Sequence, residues 1–234
     1  MDVQPPPVAH PVMYHQWNRI AFLHWRYPPE VVLPYLPLGL TADICDGTAW
    51  IGLTPFLMDG VRAPGLPALP WLSRFGEINV RTYVRDEQGG RGIWFLSLDA
   101  ARLPAVLAAR AGYRLPYFWS SVRVAATGHR IRYHCRRHNT AGTRCDAEVE
   151  LGGPLTGRDE LAEFLTARYR LYTVVGGRLA AAEAEHRPWP LHQATVLGLD
   201  QSLLADAGLP APAGAPLAHA SPGVTVRIGM WHRL

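Results

Sequence analysis

The chain has 234 residues, and 48% of them are hydrophobic, which is enough to bury one substantial core. The formal net charge is only +4, and the basic residues are scattered instead of forming a basic stripe, so nucleic acid is excluded as the expected partner. The sequence contains no lysine, and all 23 basic residues are therefore arginine, so no side-chain amine is present to form a Schiff base.

The cysteines and the distribution of apolar residues argue against a disulfide-rich, zinc-binding, secreted or membrane-spanning protein. The three cysteines, Cys45, Cys135 and Cys145, are odd in number and lack a CxxC spacing, which argues against a disulfide scaffold or a zinc knuckle. The proline-rich residues 1–10 contain no apolar segment typical of a signal peptide, and no apolar run is long enough to cross a bilayer. We therefore expect a cytoplasmic protein with no membrane partner.

Low charge and abundant turn residues favour a mainly β (β-rich α+β) fold. Charged residues make up 18% of the chain, which also has 22 glycines and 21 prolines, as is typical of short strands joined by turns. Residues 1–16 are predicted to form an extended proline-rich arm before a single domain over residues 17–234. Residue patterns predict strands at 18–27, 49–56, 75–84, 92–98, 120–126, 129–135, 144–151, 169–175, 179–185, 193–199 and 224–230. Short helices are predicted to begin at Pro28 and to span 100–111 (with Asp99 as N-cap), 159–168 and 202–207, with loops at 64–70 and 209–222.

The predicted strand at residues 75–84 is the most informative element. Its alternation places Glu77, Asn79 and Arg81 on one face, while the other face is mainly apolar. In a partly closed barrel or a pair of sheets, a polar face that points inward needs partners, water or a ligand. Glu77 is therefore a candidate general acid/base, and Arg81, with Asn79, a candidate for binding a substrate carboxylate. The alternatives are a structural Glu77–Arg81 pair that links the strands of the barrel and a polar face that simply points to solvent.

Several short strings, taken together and in order, resemble the YqjF-like family of uncharacterised bacterial proteins. They are FLHW (22–25), LPLGL (36–40), DGTAW (46–50), LTPF (53–56), EINVRTYV (77–84), FLSLDA (95–100), LPY (115–117) and HRPWPL (186–191). The resemblance runs from about residue 15 to the end of the chain, and that family looks like a branch of the acetoacetate decarboxylase-like superfamily. It implies a β-cone or double-barrel fold with a few short helices and a buried site.

The resemblance also implies roles for individual residues. In the decarboxylases a buried lysine forms a Schiff base with a β-keto acid, and that lysine follows a proline a few residues after an arginine-bearing helix. The matching stretch here contains Arg110 and Pro116, and Tyr117 occupies the lysine position, while Glu77 matches a cavity glutamate. A phenol cannot form an imine, so imine-type decarboxylation is not expected.

Three of these candidates have alternatives that the sequence leaves open. Tyr117 is a candidate to donate a proton or hydrogen bond to a carbonyl oxygen, or else it is an aromatic core residue. Arg110 is a candidate to orient Glu77 or Tyr117, or else it faces solvent at a helix end. His24 is a candidate to bind the substrate, or to act as an acid/base group, if its face of the strand at 18–27 lines the cavity, or else it is a hydrogen-bonded structural histidine. The pattern does not decide which face of this strand lines the cavity.

No metal or other cofactor is expected. His134 and His138 have an HxxxH spacing, but they lie in a strand-like stretch, with Arg136 and Arg137 between them and no glutamate after His134. The sequence also lacks a GxSxG elbow, a P-loop and a GxGxxG fingerprint.

Three functions stay open at this point. The leading hypothesis is an enzyme acting on a small carbonyl- or carboxylate-bearing metabolite, in which Glu77 and Tyr117 transfer protons in a dehydration, cyclisation, isomerisation or aldol-type reaction. The second is a non-catalytic binding protein for a hydrophobic metabolite, with Glu77 and Arg81 paired to each other. The third is a structural protein that assembles as a homo-oligomer and whose cavity is filled by side chains.

Overall fold

A computed structural model gives the structure of residues 7–157 and 159–234. Within these residues the chain forms thirteen strands and four α-helices. The strands are β1 (Met13–Tyr27), β2 (Leu40–Ala42), β3 (Ala49–Arg62), β4 (Phe75–Asp86), β5 (Arg91–Ala100), β6 (Tyr117–Thr127), β7 (Arg130–Arg137), β8 (Arg144–Pro154), β9 (Arg170–Val175), β10 (Arg178–His186), β11 (His192–Gln201), β12 (Leu217–Ile228) and β13 (His232–Arg233). The helices are α1 (Pro29–Val32), α2 (Leu103–Tyr113), α3 (Glu160–Thr166) and α4 (Leu203–Asp206), and α1 continues into a 3₁₀ turn at Leu33–Tyr35.

All thirteen strands belong to one sheet, which closes on itself twice. Its order is β13-β10-β9-β5-β6-β7-β8-β11-β12-β1-β3-β4-β2, and β4 also pairs with β5 while β10 also pairs with β12. The β4–β5 pairing closes a ring through β6, β7, β8 and β11, which we call the packed barrel. The β10–β12 pairing closes a second ring through β9 and β10, which we call the hollow barrel. Both barrels share a wall of five strands, β12-β1-β3-β4-β5.

The packed barrel contains the main hydrophobic core. The shared wall contributes Leu23, Leu53 and Ile78, which are fully buried, and the outer strands contribute Tyr133 and Val149 from the opposite side. Alternate residues of a strand point to opposite faces, so the other face of the same wall lines the hollow barrel. For this reason, most residues of β3 and nearly all residues of β4 are buried.

Two helices cover the ends of the hollow barrel. Ala109 and Tyr113 of α2 line it at the end near Glu77. At the other end, the ring of Phe164 in α3 lies 5.8 Å from that of Tyr83. Asp159 caps α3 by accepting a hydrogen bond from the Ala162 N–H at 2.9 Å. No helix in the part of the chain that the structure describes is long and apolar enough to span a membrane.

A β-bulge in β1 decides which of its residues face the hollow barrel. Arg19 has a φ of 51°, and the β1–β3 register shifts between Asn18 and Leu23. His15 and Trp17 therefore line the hollow barrel before the bulge, whereas Ile20 lines it after the bulge. Beyond the bulge, the even-numbered side of β1, which includes His24, faces the hollow barrel.

Several sequence-based boundaries are corrected by the structure. The helix predicted at 100–111 begins only at Leu103, because Ala100 still pairs with Glu77 in the sheet. Asp99 is not its N-cap but is buried in an ion pair with Arg137. The loop predicted at 209–222 is wrong in its second half, because β12 begins at Leu217 and pairs along β1. Of the predicted N-terminal arm, residues 1–6 lie outside the described residues, and β1 begins at Met13.

Candidate functional site

The hollow barrel encloses a cavity of about 110 Å³. Most of its lining is apolar, and the polar groups that point into it are few. The polar lining residues are His15, Trp17, Thr54, Glu77, Asn79, Arg81, Tyr113, Tyr117, Arg168 and Arg170. A largely apolar hollow with a few convergent polar groups is the usual form of a small-molecule site.

The structure brings Glu77 and Tyr117 together inside this cavity. The Tyr117 hydroxyl lies 3.2 Å from both carboxyl oxygens of Glu77 and donates to that carboxyl group. The contact follows from the strand order, since both residues flank β5: Glu77 pairs with Ala100 on one side, and Tyr117 pairs with Leu98 on the other. Glu77 is 2% exposed, so its carboxyl group has lost nearly all contact with water.

Burial sets the protonation of this pair. It raises the pKa of Glu77 to about 8, and the nearby charge of Asp99 adds to the rise, while hydrogen bonds from Tyr117 and Asn79 oppose it. Burial and the Glu77 carboxylate raise the pKa of Tyr117 well above its usual value. Glu77 is therefore largely protonated at neutral pH but close enough to its pKa to act as either an acid or a base.

Arg81 supplies an unopposed positive charge to the same cavity. Its side chain is buried, and among the described residues no carboxylate lies within ion-pair distance of it. The Nε atom has no hydrogen-bond partner, and Nη2 reaches the Tyr83 hydroxyl only at 3.5 Å. The structural Glu77–Arg81 pair considered from the sequence is not formed. An unpaired buried guanidinium is costly, and an anionic ligand would offset that cost.

Two further arginines that were not predicted from the sequence, Arg168 and Arg170, also line the cavity. Arg168 donates to Asp43 at 2.6 Å and to the Phe164 carbonyl at 2.7 Å, whereas its Nη2 has no partner. Burial lowers the pKa of Arg168 to about 10, although Asp43 opposes the shift. Arg170 lies 3.4 Å from Asp86. The alternation of these arginines around residue 169 was a signal that both share one face.

Two proposed substrate-binding residues do not line the cavity. His24 is on the side of β1 that faces the hollow barrel, but it is not among the residues that line the cavity, and it shares a 2.6 Å hydrogen bond with the Tyr83 hydroxyl. Burial and the charges of Arg81 and His219 lower the pKa of His24 well below its usual value, so its imidazole is neutral. Arg110 is exposed, and its Nε donates to the main-chain carbonyl of Tyr117 at 2.6 Å. Arg110 therefore secures the strand that carries Tyr117 instead of contacting a ligand.

The cavity concentrates buried polar atoms that have no protein partner. More than half of such side-chain atoms among the described residues belong to the lining. They are His15 Nδ1, Trp17 Nε1, Thr54 Oγ1, Asn79 Oδ1, Arg81 Nε, Tyr113 Oη and Arg168 Nη2. Because buried polar groups are nearly always hydrogen-bonded, these atoms call for water or a polar ligand.

The two histidines with the HxxxH spacing have other contacts. His134 shares a 2.6 Å hydrogen bond with Asp146, and the ring of His138 lies 4.0 Å from that of Trp119. Within residues 7–157 and 159–234, no three His, Cys, Asp or Glu side chains are grouped so that they could hold a metal ion.

Comparisons with known proteins agree with this architecture. The model of the DUF2071 family, described as an uncharacterized conserved protein, matches residues 14–225. The uncharacterized protein YqjF of Bacillus subtilis (strain 168) is 36% identical over 211 residues, which cover 89% of this chain and 86% of YqjF.

Solved structures resemble the fold at low sequence identity. The acetoacetate decarboxylase of Legionella pneumophila has a TM-score of 0.68 at 11% identity, and the match covers 100% of this chain and 93% of that one. An acetoacetate decarboxylase-like enzyme from Sphingomonas wittichii RW1 has a TM-score of 0.67 at 13% identity, covering 97% and 94%. The enduracididine biosynthesis enzyme MppR, complexed with pyruvate, has a TM-score of 0.66 at 15% identity, covering 99% and 91%. These similarities confirm the expected acetoacetate decarboxylase-like fold.

Proposed function

The chain belongs to the DUF2071 family and has an acetoacetate decarboxylase-like fold, and on this basis we propose that it is an enzyme that moves a proton on a small carboxylate-bearing carbonyl compound without forming a Schiff base. The observation that carries the proposal is the hydrogen-bonded Glu77–Tyr117 pair, which shares the cavity of the hollow barrel with the unpaired Arg81. The absence of lysine removes the alternative of imine chemistry on a side chain.

The charges in the cavity support a carboxylate ligand. Arg168 and Arg170 are close to Asp43 and Asp86, whereas Arg81 has no carboxylate near it in the described part of the chain. Glu77 is mostly uncharged at neutral pH. The cavity therefore carries a net positive charge, and the guanidinium of Arg81 offers the planar donors that bind a carboxylate.

Glu77 and Tyr117 divide the proton chemistry between them. With a pKa of about 8, Glu77 can take a proton from the carbon next to a carbonyl group and return one to the product. Tyr117 would turn its hydroxyl from Glu77 to the carbonyl oxygen and stabilise the enolate by donating a hydrogen bond. This proton transfer is a step common to dehydrations, cyclisations, isomerisations and aldol-type reactions, which are the reactions expected from the sequence.

Similar structures guide the choice of test compounds. MppR has been solved with pyruvate and with the condensation product of pyruvate and imidazole 4-carboxaldehyde. A carbonyl next to a carboxylate therefore fits within this fold in at least one enzyme. Short 2-oxo acids also suit a cavity of about 110 Å³, since a cavity of roughly 150 Å³ can hold benzene.

Hydrogen–deuterium exchange at carbon tests the proposal without knowledge of the full reaction. Pyruvate or 2-oxobutyrate is incubated with the protein in D₂O, and loss of the signal of the protons next to the carbonyl is followed by NMR. We expect the wild type to accelerate exchange and Glu77→Gln to slow it at least about 100-fold. Glu150→Gln, which alters an exposed pair with Arg130, is the matched control and should exchange like the wild type. Equal exchange by the wild type and Glu77→Gln would remove Glu77 from the mechanism.

A second function, storage or transport of a hydrophobic metabolite, is favoured by the mainly apolar lining. The lack of a Glu77–Arg81 ion pair argues against it, because a purely apolar ligand would leave the buried guanidinium of Arg81 without a charge partner. Mass spectrometry of small molecules released from the purified protein distinguishes the two: an apolar, uncharged ligand would favour storage or transport, and a short acid would favour the enzyme.

A further inference from the structure

Thr54 and Asn79 form a pair of polar side chains in the middle of the cavity wall. They are directly opposite each other on β3 and β4, and both line the cavity. Thr54 is fully buried and Asn79 is 6% exposed. The pair lies one alternation step from Glu77 and one from Arg81 along β4, so it sits between the acid–base group and the free guanidinium.

The hydrogen bonds of this pair are incomplete in a specific way. The Asn79 Oδ1 has no hydrogen-bond partner in the described part of the chain, and an amide oxygen can only accept a hydrogen bond. The Thr54 hydroxyl also has no partner, and it can both donate and accept. A group that fits both atoms must therefore donate to Asn79 and exchange a hydrogen bond with Thr54.

The surrounding charges limit what that group can be. An ammonium group would donate to Asn79, but three arginines, Arg81, Arg168 and Arg170, line the same cavity. Repulsion in a poorly solvated site makes a second cation unfavourable there. A neutral hydroxyl satisfies both atoms without adding positive charge.

We infer that Thr54 and Asn79 form a subsite for a hydroxyl group of the ligand, so that the short carbonyl-bearing acid whose carboxylate is bound by Arg81 also carries a hydroxyl group. This inference rests on the proposed function, because it places the hydroxyl beside the Glu77–Tyr117 pair. It makes Thr54 and Asn79 specificity-determining residues, since a ligand that lacks the hydroxyl leaves both of their atoms unpaired.

Two acids that differ only in a hydroxyl group test the subsite. Butyrate and each enantiomer of 3-hydroxybutyrate are titrated into the wild type by calorimetry. We expect the wild type to bind one enantiomer of 3-hydroxybutyrate at least about five times more tightly than butyrate. A difference in affinity of this size is typical of one added hydrogen bond. Thr54→Val, which keeps the shape and removes the hydroxyl, should bring that ratio close to one.

The control is Thr143→Val. Thr143 is also buried, and its Oγ1 also has no partner, but it does not line the cavity. Thr143→Val should keep the wild-type ratio of the affinities for 3-hydroxybutyrate and butyrate. Thermal denaturation checks that both variants fold, and neither should melt below the wild type, because each removes an unpaired buried hydroxyl.

The results separate this inference from the proposed function. Equal binding of butyrate and both 3-hydroxybutyrates by the wild type, with both weakened by Arg81→Met, overturns the hydroxyl subsite and leaves the carboxylate site standing. An unchanged ratio in Thr54→Val also overturns the subsite. If the wild type binds none of these acids, the hydroxyl subsite is overturned, and the exchange of pyruvate protons decides the proposed function separately.

Discussion

The packed barrel and the hollow barrel share five strands but use the two faces of those strands for opposite purposes. On β4, Ile78 and Val80 enter the packed core, while Glu77 and Arg81 enter the cavity. In many sheets, alternate residues of a strand face the core and the solvent. In this wall they face the filled interior of the packed barrel and the cavity of the hollow barrel. A sheet that closes twice can thus bury both faces of a wall, stabilising the fold with one face and binding a ligand with the other.

The two barrels also differ in whether their buried arginines have a charge partner. On the packed side, Asp99 receives two hydrogen bonds from Arg137, at 2.9 and 2.8 Å, and one from Ser120 at 2.6 Å. In the hollow barrel, Arg81 is buried to a similar extent, 7% exposed against 9% for Arg137, yet no carboxylate pairs with it among the described residues. The satisfied pair stabilises the fold, whereas the unsatisfied arginine is free to bind something else.

The largest expected effect is a change in how stability depends on pH when Glu77→Gln removes the titrating group. The folded protein keeps the Glu77 proton up to about pH 8, whereas the unfolded chain releases it near pH 4.5. The free energy of unfolding of the wild type should therefore fall, relative to the variant, by about 5 kcal/mol between these values, and stay level above them. Urea denaturation across this pH range measures the difference, and parallel curves for the two proteins would show that Glu77 is not protonated in the folded state.

The next largest effect concerns the packed barrel. Arg137→Met leaves Asp99 buried without its charge partner, so we expect the free energy of unfolding to fall by about 3–5 kcal/mol. Chemical denaturation at pH 7 measures the loss. A change below about 1 kcal/mol would mean that the Arg137–Asp99 ion pair does not stabilise the fold.

The smallest effect on stability is expected in the hollow barrel. Arg81→Met removes an unpaired buried charge, so the free energy of unfolding should stay the same or rise by about 1 kcal/mol. The same denaturation experiment applies, and binding of short carboxylic acids should be lost. A loss of stability as large as that of Arg137→Met would show that Arg81 has a structural partner and is not reserved for a ligand.

The sequence was sufficient to predict what depends on strand periodicity. The shared polar face of β4 followed from alternation, and the resemblance placed Glu77 in a cavity and Tyr117 in the slot of the missing lysine. Other features depend on tertiary contacts that leave no local pattern. The bulge at Arg19 requires an unusual φ at a residue other than glycine.

Two more features were missed for related reasons. The small and polar residues at the start of β12 resemble a loop until β1 pairs with them. Asp99 resembles a helix N-cap in the sequence, because an aspartate side chain can serve either as an N-cap or in a buried ion pair. Arg168 was assigned to the end of a helix, whereas the structure turns it into the cavity.

The hollow barrel buries Glu77 beside Tyr117, and an NMR titration of the Glu77 carboxyl group measures the pKa that this burial sets. Protein labelled with ¹³C at glutamate carboxyl groups is titrated by NMR, and the spectrum of Glu77→Gln identifies the signal of Glu77. We expect a midpoint near pH 8, at which the carboxyl group is ready to exchange a proton with a ligand. A midpoint near 4.5 would mean that the carboxyl group is solvated or paired, and would overturn the proposal that Glu77 is protonated at neutral pH.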